Sequence, residues 1–102
     1  MNKLEKQLSR EIRGYILKML DINYPYPSSD HLIAEILTDA QYICSPAQVK
    51  VHLAYLAEKG YIELDTVSVE ELGTRCLAKL TVKGKDLLEG SIAADPGVTV
   101  NG

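Results

Sequence analysis

Reading a base edge takes forked or flexible hydrogen-bond donors on a helix, and holding a phosphate takes a cation or a helix N-terminus. In the run SPAQVKVHLAYLAEKGYIEL, Ser45 to Leu64, the side chains of that kind near the helix start are Ser45, Gln48 and Lys50. Further along, RCLAKL supplies Arg75 and Lys79, two cations that favour an anion. Between the helical donors lie Ala47, Val51 and Ala54. These can meet thymine methyls or another apolar surface, and nothing that needs a donor.

Other chemistries lack their residues. Cys44 and Cys76 have neither a Cys-x-x-Cys spacing nor paired histidines around them, so free thiols in a reducing compartment are expected and no metal site is. His31 is expected at the surface, and His52, beside an inward stripe, as a partly buried and satisfied side chain. No glycine-rich phosphate loop, nucleophile elbow or paired-carboxylate site is present, so neither enzymatic activity nor a cofactor is expected. The net charge of -3 and pI near 5.3 run against the positive field common on nucleic-acid binders. Glu63, Asp65, Glu70 and Glu71 also oppose phosphate in the segment that carries Arg75 and Lys79. The charged opening MNKLEKQLSREIRG and the lack of a long apolar run predict a cytoplasmic chain with no membrane partner.

The elements that must position these residues follow from periodicity. Leu4, Leu8, Ile12, Tyr15, Ile16 and Met19 recur at spacings of three and four, predicting an amphipathic first helix from Lys3 to Leu20. Lys3, Lys6, Arg10 and Arg13 share another side of it, read as a solvated face. NYPYPSS is an extended link, and Ser28, Ser29 or Asp30 caps a second helix ending near TDAQY. Ser45 as N-cap and Pro46 at the first helical position start a third helix running to Lys59, with Gly60 at its left-handed end. Its inward stripe is Val49, Leu53 and Leu56, which turns Ala47, Val51, Ala54 and Glu58 outward. YIELDTV and RCLAKLT alternate as strands around a generous loop, SVEELGT, and Thr81 caps a short closing helix, VKGKDLLE. Tyr15, Tyr55 and Tyr61 are expected to fill core gaps with their hydroxyls toward water. One domain over residues 1–90 and a flexible tail over 91–102 complete the expectation.

This order is mainly α with a small β-hairpin, an α+β chain. It is a winged helix-turn-helix of three helices, a wing hairpin and a short closing helix. The run VKVHLAYLAEKGYIEL followed by AKLTVKGKDLLEG resembles bacterial winged-helix transcription regulators of the MarR, PadR and ArsR type, over about residues 10–90. The segment from Leu53 to Ile62, the KLTVKGKD run and Pro96-Gly97-Val98 are similar to small winged-helix proteins of Mu-like prophages. Two departures stand out: a longer wing loop carrying Glu70 and Glu71, and a tail without basic residues. The resemblance implies a regulator of phage or prophage origin whose third helix enters the major groove of double-stranded DNA while the wing touches backbone. Ser45, Gln48, Lys50, Arg75 and Lys79 would then be the contacts. It also implies a homodimer through helix 1 or the C-terminal region. The residues leave open an interaction module without DNA binding, with Ala47, Val51 and Ala54 packed on a protein partner.

Overall fold

A computed structural model describes residues 3–71 and 73–100. The chain runs α1 (Lys3–Ile22), β1 (Ser28–Ser29), α2 (Asp30–Asp39), α3 (Pro46–Glu58), β2 (Ile62–Val69), β3 (Gly73–Leu80) and α4 (Val82–Glu89). The three strands form one antiparallel sheet in the order β1-β3-β2. This is the α+β winged-helix architecture, with β2 and β3 as the wing.

Ile16, Leu17 and Leu20 of α1 meet Ile33 and Leu37 of α2, Val49, Leu53 and Leu56 of α3, Leu80 of β3 and Leu87 of α4 in a single core. Burying a leucine or isoleucine side chain contributes about 2 kcal/mol, so these positions fix how the helices pack. The starts of α2, α3 and α4 carry caps that the sequence offered. Ser29 Oγ accepts from the Leu32 amide, Ser45 Oγ from Gln48, and Thr81 Oγ1 from Gly84. Gly60, at φ +84°, ends α3 as expected.

Two features of the sheet differ from the expectation. The extended link ends in a strand, Ser28↔Ala78 and Ser29↔Leu77, too short for any alternation to show in the sequence. The wing is also longer and its loop tighter than SVEELGT implies. Pairing continues from Ile62↔Leu80 to Val69↔Gly73, beyond the ends of YIELDTV and RCLAKLT. Valine and threonine at 66, 67, 69 and 74 suit a ladder with no core behind it, because β-branched side chains pack across strands.

The last stretch corrects the expectation of a loose tail after residue 90. Residues 91–100 lie along α1 and the C-terminal half of α3, with Val98 buried. The Thr99 amide donates to Arg10 O at 3.1 Å, and an Arg13 guanidinium nitrogen donates to Gly97 O at 3.2 Å. Tyr61 Oη donates to Asp95 Oδ2 at 2.7 Å, with Lys59 Nζ 3.8 Å from the same oxygen. Arg13 therefore does not join the solvated basic stripe: its guanidinium stacks 3.8 Å over the Tyr55 ring. Nor does the Tyr61 hydroxyl face water. Two glycines make the fit possible, since a Cβ on Gly14 would clash with Thr99 O and one on Gly97 with Tyr55 Oη. Residues 101 and 102 of the expected tail fall outside the described residues.

Candidate nucleic-acid interface

The start of α3 is rigidly built. The Ser45 amide donates to Gln48 Oε1 at 2.9 Å while the Gln48 amide donates to Ser45 Oγ at 3.2 Å, a reciprocal capping box. Pro46 at the first helical position gives up an amide that has no helical partner anyway. Val49, Leu53 and Leu56 point fully inward, which rotates Ala47, Gln48, Lys50, Val51 and Ala54 to the surface. Val51 is 67% exposed, an apolar side chain at the centre of a smooth, small-residue face.

The candidate contacts form two groups joined by a residue that sequence reasoning took only for a helix cap. Asp30, at the first position of α2, is completely buried. One carboxylate oxygen accepts from the Cys76 amide of β3 at 3.2 Å and lies 3.1 Å from His31 Nδ1; the other is 3.6 Å from Lys50 Nζ on α3. Burial alone would push this carboxyl up. The His31 and Cys76 hydrogen bonds, with the His31 and Lys50 charges, together hold it below its ordinary value. Asp30 thus ties α2, α3 and the wing at one point, through the amide of the residue that follows Arg75. Its signal in the sequence is the SSDH run, which carries one polar residue more than a cap requires.

This arrangement alters what the predicted residues can offer. Lys50 is half exposed, but its charge already leans on Asp30. Lys79 sits opposite Glu63 in the ladder, with its Nζ 3.6 Å from Glu63 Oε2. Arg75 lies opposite Val67, on the sheet face that also carries Glu63, Asp65, Leu77 and Lys79. Gln48 spends its carbonyl on the cap and keeps its NH2 group as the donor for a ligand. Beside the α3 N-terminus an open groove of about 710 Å³ is lined by His31, Glu35, Asp39, Ile43, Ser45 and Gln48, so two carboxylates flank the helix dipole. Ser45 and Gln48 meet in the capping box, whereas Lys50, about 200° around α3 from Gln48, turns to Asp30; Arg75 and Lys79 occupy a separate face of the wing, tied to α3 through Asp30.

His52, on the flank of α3, is partly buried as expected but not satisfied: its Nδ1 is buried with no hydrogen-bond partner among the described residues. Burial, and then the Arg13 charge, push its pKa down. Among the described residues no three histidine, cysteine, aspartate or glutamate side chains gather as a metal site. No described helix is long and apolar enough to cross a membrane. Comparison with protein-family models and with curated proteins finds no match.

Proposed function

We propose that the protein is a non-catalytic winged-helix DNA-binding protein, a transcriptional regulator of phage or prophage origin, with α3 as the element that enters the major groove. The observation that carries this reading is the outer face of α3: a capped, 13-residue helix presenting Ala47, Gln48, Val51 and Ala54 to solvent next to a protruding hairpin. Small side chains let the helix backbone approach base edges closely, Val51 and the alanines meet thymine methyls, and Gln48 supplies an amide donor. Ser45 Oγ and the Ala47 amide, next to the capped amides of α3, face a phosphate, with Arg75 and Lys79 serving the backbone along the wing.

A specific observation favours a second reading, a protein-binding platform built on the same α3 face. Lys50 and Lys79 are paired with Asp30 and Glu63, and Glu35 and Asp39 line the groove at the α3 N-terminus. Phosphate neutralisation supplies most non-specific affinity, and these cations are already engaged.

Fluorescence anisotropy with duplexes tiled across the DNA flanking its own gene separates the two. DNA binding predicts a preferred duplex, weakened roughly tenfold or more by Val51→Glu, which sets a carboxylate against the groove floor. Gln48→Ala should relax the preference at one base pair. Val51 is a cleaner probe than Lys50, whose replacement also leaves Asp30 without its cation. No binding of any duplex at low salt would favour the platform and end the DNA reading.

A further inference from the structure

Lys50, Lys59, Lys79 and Lys85 each lie 2.7–3.8 Å from a carboxylate oxygen, and Arg13 is held by Tyr55 and Gly97. The first turns of α1 are different. Lys3, Lys6 and Arg10 make no ion pair or side-chain hydrogen bond among the described residues. At 100° per residue they fall within about 60° of arc, with Glu5 and Glu11 about 80° or more away around the helix. Lys3 and Lys6 are exposed and Arg10 partly so. An open hollow of about 570 Å³ follows the stripe, lined by Lys3, Leu4, Lys6, Gln7 and Arg10. That lining carries three cations and an amide, and no carboxylate offsets them.

We propose that Lys3, Lys6 and Arg10 form a second nucleic-acid contact, a clamp on the phosphates of one strand of the duplex whose groove takes α3; the inference rests on the DNA reading above. The stripe rises about 10 Å along α1, and a duplex strand presents about three phosphates over that length of its axis. Its direction suits the same duplex. Arg13 continues the stripe one turn further and stacks on Tyr55, so this side of α1 is the side turned toward α3. Tyr55 lies about 40° around α3 from Val51, so the stripe borders the outer face on which the duplex would sit. To meet a phosphate, Lys50 and Lys79 must first leave Asp30 and Glu63. The three α1 cations break no internal pair when they release counterions, so they carry most of the salt-dependent affinity. Leu4 and Leu8 flank the stripe, but two leucines over two turns are too small an apolar face to hold a membrane surface.

Anisotropy of the full chain with duplexes from its own flanking DNA, followed from about 50 to about 200 mM salt, tests this. Three phosphate contacts give log affinity a slope of about -2.7 on log salt, a loss of about fortyfold over that range. Lys3→Gln, Lys6→Gln and Arg10→Gln together should bring the slope near zero and weaken all duplexes alike. The preference among duplexes and the helical circular dichroism should stay unchanged, since glutamine is a comparable helix former. Lys6→Gln alone should make the slope shallower by about 0.9, whereas Lys18→Gln, in the groove between α1 and α2, should not move it. A triple variant that keeps the wild-type slope overturns the proposal and leaves α3 as the reader. So does a stripe whose loss weakens binding to phosphatidylserine vesicles and not to duplex. If Val51→Glu leaves the duplex preference intact while the slope still responds to the triple variant, the α3 reading fails and this contact stands. No binding of any duplex at low salt ends both.

Discussion

At the scale of single residues, Asp30 is the most consequential side chain. Its carboxylate serves the Cys76 amide and neutralises Lys50 from inside the protein. Asp30→Ala leaves a buried amide without an acceptor and a lysine without its counter-ion, and should cost about 2 kcal/mol in chemical denaturation. A neutral result would remove Asp30 as the tie between α3 and the wing. The titrating groups also predict the pH profile. His52 has a folded pKa below its ordinary 6.5, so the unfolded chain binds that proton first and stability falls as pH drops below 6.5. Asp30 and Asp95 are held below 3.8; their contribution is complete above that value and is lost as pH falls through their folded pKa values. For Asp95 burial works upward, and it is outweighed by the Tyr61 and Gly97 hydrogen bonds and by the Lys59 and Arg13 charges. Tyr61 is pushed up to about 12 by burial and by its hydrogen bond to Asp95, so stability is lost above its ordinary value of 10. Burial also pushes the Cys44 and Cys76 thiols above their ordinary 9.0, so thermal melts should show a plateau from about pH 7 to pH 9, and His52→Gln should flatten the limb just below it. An unchanged limb would place the titration elsewhere.

At the scale of elements, the most informative contact is the close approach of residues 91–100 to α1. In an exposed helix interior Gly→Ala stabilises by about 1 kcal/mol. At Gly14 the new methyl would strike Thr99 O, so Gly14→Ala should instead destabilise by about 1–3 kcal/mol and speed proteolysis after residue 90. Stabilisation by this change would mean that the segment does not dock. The helices were legible in the sequence because their signals are local: Ser45-Pro46 starts α3, Gly60 ends it, and Val49, Leu53 and Leu56 mark its inner side. What stayed hidden is non-local. Ser28–Ser29 becomes a strand only because β3 lies beside it, and Arg13 leaves the basic stripe only because Tyr55 and Gly97 come to meet it. The site was legible to the same degree: the outward turn of residues 47, 51 and 54 followed from helical period, whereas the capture of Lys50 by Asp30 needed two helices to be packed together.

At the scale of the whole molecule, an acidic chain presents α3, the proposed reading helix, beside cations that its own carboxylates already engage. Such a surface gains little from neutralising phosphate and depends on shape and apolar contact in the groove. The central claim is that the outer face of α3 does the reading, and the salt dependence of duplex affinity tests it most directly. Log affinity against log salt should fall with a shallow slope, no steeper than about -3, and Val51→Glu should abolish the preference for one duplex. Absence of duplex binding at low salt would contradict the claim, as would a steep slope of about -6 or beyond that Val51→Glu leaves unchanged.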